Sequence, residues 1–375
     1  MTLHRLSAVV VALALALAAS AAQAVSYSVV DLNPAGFVES YGIGVSDGQQ
    51  VGLAVGTATG NQKHAFVWSG SAASAVDLNP VWSTDSRAWA VSGGQQVGWA
   101  SYWPSGNYHA VLWSGSAASA VDLNPAGYIV SYAWGVSGGQ QVGTAAKANY
   151  ISHAVLWSGS VASAVDLHPA GFTSSRGYGI GGGHQVGFGQ GAPTANNFHA
   201  LLWSGIAASV VDLNPAGFIE SRAYGVGGGQ QVGYGRGAAT ANNLHTLLWN
   251  GTAASVVDLN PPGLTESWAY GVAGGLQVGA GHGALTGNRD HALLWSGSAE
   301  SVVDLHQFLP AGFVSSDARG IDAQGNVVGA AYDAAGNPHA ILWVPVPEPG
   351  SMAMLVAGVL CLLAYVLWRR NRATA

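Results

Sequence analysis

The chain has 375 residues, a single cysteine, and charged residues at only 8% of its positions. Residues 25–344 contain 8 lysines and arginines against 17 aspartates and glutamates, which gives this segment a net charge near −9. The acidic balance argues against nucleic acid as a partner, because that binding needs basic patches. The lone Cys361 leaves residues 25–344 without disulfides or thiolate metal sites.

The first 24 residues predict a secretory signal peptide. They combine a short basic start, an apolar run from Leu6 to Ala19, and the small-residue ending Ala22-Gln23-Ala24. This order is typical of a signal that is cleaved before the mature chain begins. We therefore expect residues 1–24 to form an N-terminal signal helix with Ala22 and Ala24 at the cleavage site; a buried N-terminal helix is the alternative.

Residues 25–344 contain seven copies of one repeat, with a step of 44 to 48 residues. Each copy has a His four residues before a Trp, a Val-Asp-Leu triplet, and a Val-Gly pair, all in the same phase. The histidines are His64, His109, His153, His199, His245, His291 and His339. The aspartates of the triplet are Asp31, Asp77, Asp122, Asp166, Asp212, Asp258 and Asp304.

One period, residues 223–259, predicts four short strands and no helix. The apolar or alternating runs are Ala223–Val226, Gln231–Tyr234, His245–Trp249 and Ala254–Leu259, separated by glycine-rich turns and by Asn250-Gly251. Four strands with their turns need about 40 to 48 residues, which matches the step. We therefore expect an all-β fold, a seven-bladed β-propeller of four-stranded antiparallel blades over residues 25–344, with an open β-solenoid as the alternative.

The two ends of the repeat array complement each other. Tyr27–Leu32 supplies a Val-Asp-Leu strand before the first complete unit, whereas the last unit stops at Trp343 without one. In a closed ring the N-terminal strand would complete the last blade and leave no exposed sheet edge. This complementarity favours the propeller over the solenoid.

Three short segments follow the repeats: a Pro-rich linker at 345–350, an apolar segment at 351–368, and a basic tail at 369–375. Met352–Trp368 has no charged residue and would be about 26 Å long as a helix, close to the ~30 Å of a bilayer core. We predict a C-terminal transmembrane helix at 351–368. The arginines that follow it place the tail in the cytoplasm and the repeats outside, by the positive-inside rule.

The repeat resembles the bacterial extracellular HAF repeat. His-Ala-Phe-Val-Trp at 64–68 and Gly-Gln-Gln-Val-Gly at 48–52 carry the resemblance, which extends over about 320 residues. It implies a secreted or surface protein and brings no activity with it.

The C-terminal segment resembles the PEP-CTERM sorting signal, with Val-Pro-Glu-Pro-Gly at 346–350, then the apolar segment, then two arginines. This resemblance implies handling by an exosortase, a membrane protease that cuts near the Pro-Glu-Pro, in a Gram-negative envelope. The sorting residues it implies are Pro347, Glu348, Pro349, Arg369 and Arg370. A Pro-rich spacer before an ordinary anchor helix is the alternative.

The repeated His and Asp are expected to be structural, because a residue that every unit needs is explained by the fold, and a catalytic residue is needed once. We expect them to tie turns together and the repeated Trp to fill the core between blades. No residue is assigned a catalytic role, and no motif for a metal or cofactor is present.

A local function is expected where the repeats differ most, which is the segment Trp99–Tyr108. Trp99, Tyr102, Trp103 and Tyr108 gather four aromatics in the predicted loop between the Gln-Val-Gly strand and the next His strand, where a sister repeat has the small and polar residues of 191–197. Exposed aromatic patches often mark binding. They are candidate sugar-binding residues; ordinary packing against a neighbouring loop is the alternative.

The sequence therefore favours a non-catalytic repeat protein at the cell surface or in an extracellular, biofilm-associated matrix. It would be held in the envelope by its C-terminal helix until an exosortase processes it, and an exopolysaccharide is a candidate partner. A carbohydrate-binding, lectin-like propeller is the first alternative. A polysaccharide hydrolase or lyase is less favoured, because the acidic residues belong mostly to the repeated Asp set.

Overall fold

The computed structural model describes residues 26–148 and 150–346. The predicted signal helix, the Pro-Glu-Pro residues, the predicted transmembrane helix and the basic tail lie outside the described residues. The chain divides into two units, and the first of them, residues 28–344, is compact. Within 26–148 and 150–346, no helix combines the length and the apolar character that crossing a membrane requires.

The first unit is built from 28 strands in seven four-stranded sheets. In chain order they begin with β1 (Ser26–Asp31). Blade 1 contains β2 (Phe37–Ser46), β3 (Gln49–Gly56), β4 (His64–Trp68) and β5 (Val76–Asp77). Blade 2 contains β6 (Ser86–Ser92), β7 (Gln95–Tyr102), β8 (Asn107–Trp113) and β9 (Val121–Asp122). Blade 3 contains β10 (Val130–Ser137), β11 (Gln140–Ala146), β12 (Ser152–Trp157) and β13 (Val165–Asp166).

The remaining blades repeat this order. Blade 4 contains β14 (Phe172–Gly181), β15 (His184–Gly191), β16 (His199–Trp203) and β17 (Val211–Asp212). Blade 5 contains β18 (Phe218–Gly227), β19 (Gln230–Gly237), β20 (His245–Trp249) and β21 (Val257–Asp258). Blade 6 contains β22 (Leu264–Ala273), β23 (Leu276–Gly283), β24 (His291–Trp295) and β25 (Val303–Asp304). Blade 7 contains β26 (Phe313–Ile321), β27 (Val327–Asp333) and β28 (Pro338–Val346), with β1 as its fourth strand.

Short 3-10 helices connect strands inside the blades, except the last of them, which connects blade 6 to blade 7. They are Thr57–Thr59, Ala72–Ser74, Ala117–Ser119, Val161–Ser163, Ala192–Thr194, Ala207–Ser209, Ala238–Thr240, Ala253–Ser255, Ala284–Thr286, Ala299–Ser301 and Leu305–Phe308. The prediction of a seven-bladed propeller with four-stranded antiparallel blades is confirmed.

The N-terminal strand closes the ring, as the repeat phase predicted. Strand β1 lies beside β28 at the outer edge of blade 7. The backbone N–H of Leu32 donates to the carbonyl of Ala340 at 2.8 Å. One buried cluster joins this blade to blade 1 and contains Leu32, Val45, Ala54, Phe66, Trp68, Val328, Ala340 and Leu342. Two ends of the sequence therefore share one sheet and one piece of core.

The repeated Trp residues form the core between neighbouring blades. All seven are fully buried: Trp68, Trp113, Trp157, Trp203, Trp249, Trp295 and Trp343. Trp113 of blade 2, for example, shares a cluster with Val51 and Leu78 of blade 1. Each indole thus buries a large apolar area against the sheet of the preceding blade, and the prediction that these residues fill the core is confirmed.

The outermost strand of each of blades 1 to 6 is shorter than predicted. In blade 5 the sequence predicts a strand over Ala254–Leu259, but only Val257–Asp258 is a strand. The residues before it form the 3-10 helix Ala253–Ser255, in which the Ser255 hydroxyl donates to the Thr252 carbonyl at 2.6 Å and accepts the Asn250 N–H at 2.8 Å. A hydroxyl that bonds the local backbone offers it an alternative to the sheet.

Candidate functional site

The repeated His and Asp residues pair with each other in every blade. The imidazole Nδ1 lies 2.7 or 2.8 Å from the carboxylate Oδ2 of the Asp on the neighbouring strand. The other carboxylate oxygen accepts a backbone N–H two residues further on, as Asp77 does from Asn79 at 2.7 Å. In blade 7 the same pair is His339 and Asp31, from opposite ends of the chain. The prediction that these residues tie turns together is confirmed.

Two blades carry a histidine in place of the Asn that follows the triplet. His168 Nδ1 lies 2.8 Å from Ser175 Oγ, a contact that Asn79 makes to Ser86 in blade 2 at 2.7 Å. His168 also stacks on His153 with ring centroids 3.9 Å apart, and His306 stacks on His291 at 4.0 Å. Burial, reinforced by the neighbouring imidazole, lowers the pKa of both His168 and His306.

These histidines do not form a metal centre. Across residues 26–148 and 150–346, no three His, Cys, Asp or Glu side chains are grouped so that they could hold a metal ion. The repeated His and Asp side chains instead bond to each other and, through the second carboxylate oxygen, to the backbone.

The four aromatics of the Trp99–Tyr108 segment do not form one exposed patch. Trp99 lies in β7, where the sequence predicts a loop, and is 5% exposed. Tyr108 lies in β8 and its ring is 4.4 Å from that of Trp99. Tyr102 stacks on His109 at 4.5 Å, and Trp103, at the turn, is 74% exposed. Most of this segment is β-strand, because β7 and β8 continue their pairing to Tyr102 and Asn107.

A different set of side chains converges at the centre of the ring. The inner strands share the pattern Ser-x-Gly/Ala-x-Gly/Ala-Val/Ile, for example Ser-Arg-Ala-Trp-Ala-Val at 86–91. The register of each inner strand slips by one residue at the fourth position of this pattern, as between Ala88 and Ala90. A β-bulge leaves its extra residue unpaired and re-aims its side chain. The seven bulged residues, here called the inner ring, are Ile43, Trp89, Trp134, Tyr178, Tyr224, Tyr270 and Arg319.

The inner ring lines the central channel, a cavity of about 240 Å³ to which all seven blades contribute. Its aromatics contact one another in sequence: Trp89 and Trp134 at 4.7 Å, Trp134 and Tyr178 at 5.3 Å, Tyr178 and Tyr224 at 4.9 Å, and Tyr224 and Tyr270 at 5.6 Å between centroids. Arg319 continues the series with its guanidinium 5.2 Å from the Tyr270 ring. Blade 1 alone contributes an aliphatic residue, Ile43.

A second layer, here called the outer ring, is formed by the residues two positions earlier. These are Tyr41, Arg87, Tyr132, Arg176, Arg222, Trp268 and Asp317. Its arginines lie against aromatic rings: Arg87 is 4.7 Å from the Trp99 ring, and Arg222 is 4.8 Å from the Phe198 ring. Trp99 is therefore a supporting residue beneath Arg87, its cross-strand neighbour.

A recess opens between blades 1, 2 and 7, where Ile43 replaces the aromatic of the inner ring. This blade 1 recess has a volume of about 220 Å³ and is lined by Tyr41, Ile43, Leu53, Lys63, Arg87, Trp89 and Arg319. Three of its seven lining residues are cations and none is acidic. Arg319 is held by Asp317, with Nε 2.8 Å from Oδ1, and the Tyr332 hydroxyl donates to the same carboxylate at 3.3 Å.

Burial and neighbouring ionisable groups shift the pKa values of several side chains around the channel. Burial raises the pKa of Tyr270 to about 12 and also raises the pKa of Tyr224, with a further contribution from Tyr234. For Arg319, burial disfavours the charged form, but the carboxylate of Asp317 outweighs it and the pKa is raised. At neutral pH Tyr224 and Tyr270 therefore stay protonated and Arg319 stays charged.

The two rings were not singled out by reading the sequence, although the repeats carry a signal for them. Aligning the inner strands shows two positions that vary within an otherwise constant Ser-x-Gly/Ala-x-Gly/Ala frame. Those positions are aromatic or charged in every blade except at Ile43. Their convergence depends on the ring closing, which the pattern of one repeat does not contain.

Comparison with known proteins supports the C-terminal resemblance and the fold. Residues 345–371 match the family model described as the PEP-CTERM protein-sorting motif, which implies export and processing in the envelope by an exosortase, a membrane protease. A search of curated proteins found no match.

Solved structures with a similar fold include the following two. A puromycin hydrolase mutant complexed with PGG is 12% identical with a TM-score of 0.52, over 83% of this chain and 52% of that one. The chain thus spans about half the length of the hydrolase. The β-propeller domain of the Trilobed protease from Pyrococcus furiosus, described as having an open velcro topology, is 10% identical with a TM-score of 0.53, over 81% of this chain and 95% of that one. At these identities the likeness is one of fold: the chain is a β-propeller that ends in a PEP-CTERM sorting motif.

Proposed function

We propose that this protein is a non-catalytic, surface or matrix propeller that an exosortase processes and that associates with exopolysaccharide. The observation that carries this proposal is the sorting motif at 345–371, which begins within the last propeller strand, Pro338–Val346. The folded body is thereby joined directly to the segment that addresses it to the envelope. The HAF-type resemblance of the repeats agrees with an extracellular role.

The placement of the acidic residues supports the non-catalytic assignment. Seven carboxylates are engaged in the His–Asp pairs, and Asp317 is engaged by Arg319. Glycoside hydrolysis uses two carboxyl groups that flank one bond, whereas the inner ring at the channel consists of five aromatic residues, Ile43 and Arg319, with no carboxylate among them. That lining favours the lectin-like alternative over a hydrolase or lyase.

The test is the mass and location of the mature protein in its native host, with and without Glu348→Ala. We expect the unaltered protein to leave the membrane as a species ending near the Pro-Glu-Pro, and the variant to stay in the membrane at full length. Glu300→Ala is the matched control, because Glu300 is an exposed acid in a 3-10 helix of the propeller. A full-length, membrane-held product for all three proteins would show an ordinary anchor and refute exosortase processing.

A further inference from the structure

Three of the eight lysines and arginines of this acidic propeller lie together in one recess. Of the 8 lysines and arginines in residues 25–344, Lys63, Arg87 and Arg319 line the blade 1 recess, and Arg176 and Arg222 occupy the outer ring. The remaining three are Lys147, Arg236 and Arg289. A local concentration of cations in a cavity focuses an electrostatic field that attracts anions, even when the net charge is negative.

The cations of the recess are only partly neutralised. Lys63 and Arg87 form no ion pair with any residue in 26–148 or 150–346, and the Nε of Arg87 is buried without a hydrogen-bond partner. Asp85 lies near both, and Asp317 engages Nε and Nη2 of Arg319. Because Arg87 lines the recess with no carboxylate paired to it, the carboxylate of a ligand would supply the ion-pair partner that this cation lacks.

The remaining lining has the character of a sugar site. Trp89 offers an indole beside the cations, and Tyr41 offers a hydroxyl. Aromatic faces carry negative charge density, which suits the polarised C–H groups of a sugar ring. The volume of about 220 Å³ lies below the ~300 to 1,000 Å³ of drug-sized sites, so it suits one ring-sized unit.

We propose that the blade 1 recess binds a carboxylate-bearing sugar unit, a uronic acid residue of an acidic polysaccharide. The carboxylate lies against Arg87 with Lys63 and Arg319 beside it, and the sugar ring packs on Trp89. Arginine matches a carboxylate with two parallel N–H donors, which gives geometric selectivity as well as charge. This proposal rests on the surface or matrix role and adds the chemical class of the polysaccharide and its site.

The test is calorimetric titration of the full-length protein in detergent with trigalacturonic acid, its methyl ester, maltotriose and tricarballylate. We expect the acid to bind, and the ester and the neutral sugar to bind roughly tenfold or more weakly, because they lose a charged hydrogen bond. Equal affinity for the ester or the neutral sugar would overturn the role of the cations. Equal affinity for tricarballylate, a carboxylate without a sugar ring, would overturn the sugar assignment, as would no binding of the acid at millimolar concentration.

Substitutions then locate the site. Arg87→Gln should lower the affinity for trigalacturonic acid by roughly tenfold. Arg87→Lys keeps the charge but loses the two parallel N–H donors, so it should lower the affinity less. Arg289→Gln is the matched control, since Arg289 is an exposed cation that does not line the recess. Unchanged binding by both Arg87 variants would refute this location. Binding in solution is independent of Glu348, so a failure here leaves exosortase processing standing, and a failure of processing leaves the site standing.

Discussion

Equivalent positions in different repeats carry different residues, so one repeat shows what a substitution in another would do. Residues 164–172 and 210–218 read Ala-Val-Asp-Leu-His-Pro-Ala-Gly-Phe and Val-Val-Asp-Leu-Asn-Pro-Ala-Gly-Phe. His168 and Asn214 make equivalent hydrogen bonds, one with a neighbouring Ser hydroxyl and one with a Phe carbonyl. The two residues therefore differ in that only one can take up a proton.

This difference predicts an acid-sensitive stability that Asn removes. The folded-state pKa of His168 and His306 lies below the ordinary 6.5 because of burial and the stacked imidazole. As pH falls below about 6.5, the unfolded chain binds protons more readily than the folded one, so stability is retained above this pH and lost below it. The urea midpoint of the double variant His168→Asn/His306→Asn should fall less between pH 7.5 and 5.5 than that of the unaltered protein. An equal fall in both proteins would contradict the role assigned to these two residues.

Truncating two tryptophans of blade 2 should have very different effects on stability, because one is buried and the other is exposed. Trp113→Ala empties a fully buried position between blades 1 and 2 and should destabilise the protein by about 3 to 5 kcal/mol. Trp103 is 74% exposed, so Trp103→Ala should change stability by less than about 0.5 kcal/mol. Chemical denaturation measures both. If Trp103→Ala instead weakens sugar binding while Arg87→Gln does not, the ligand lies on the β7–β8 turn.

At the scale of the blade, the inner-strand bulge explains the repeated Val-Gly pair. A Cβ on Gly143 would lie 1.9 Å from the Tyr132 carbonyl oxygen, and the equivalent glycine of every other blade meets the corresponding carbonyl at 1.8 or 1.9 Å. That carbonyl belongs to an outer-ring residue, two positions before the bulged residue. The glycine is thus required because the bulge brings two backbones together.

Gly143→Ala should therefore destabilise the protein by about 1 to 3 kcal/mol, as overpacking of a close backbone contact does. Thr144→Ala is the neighbouring control. Thr144 is buried and its hydroxyl lacks a partner within the described residues, and blades 6 and 7 have Ala280 and Ala330 at this position. A Gly143→Ala midpoint as high as that of Thr144→Ala would refute the close contact.

How far the sequence predicts this molecule depends on the range of each interaction. Strand number, blade size and the role of the His–Asp pair follow from the repeat, because each depends on contacts within one unit. The short outer strands were mispredicted, since Ser255 and its equivalents divert the backbone locally. The inner ring does not follow from one repeat, because its side chains meet only after seven bulged strands converge. The predicted aromatic patch at Trp99 does not form, because β7 extends to Tyr102 and buries Trp99.

At the scale of the whole molecule, closure makes the first strand as important as any internal one. Leu32 follows β1 and is fully buried, as are its repeat equivalents Leu78, Leu123, Leu167, Leu213, Leu259 and Leu305. In an open array the first repeat residue would be peripheral, and its truncation would cost little. In this ring Leu32 packs between the last blade and the first.

The closed ring therefore predicts that Leu32→Ala and Leu78→Ala are equivalent. Each should destabilise the propeller by about 2 to 5 kcal/mol, the usual cost of removing a buried leucine side chain. The measurement is urea denaturation followed by tryptophan fluorescence, with the two variants compared under identical conditions. A loss confined to Leu78→Ala would mean that β1 does not seal blade 7 in solution. Leu32 and Leu78 occupy equivalent positions in two different repeats, each in the core between neighbouring blades. Equal losses would therefore show that the contact between blade 7 and blade 1 stabilises the propeller as much as the contact between consecutive blades does.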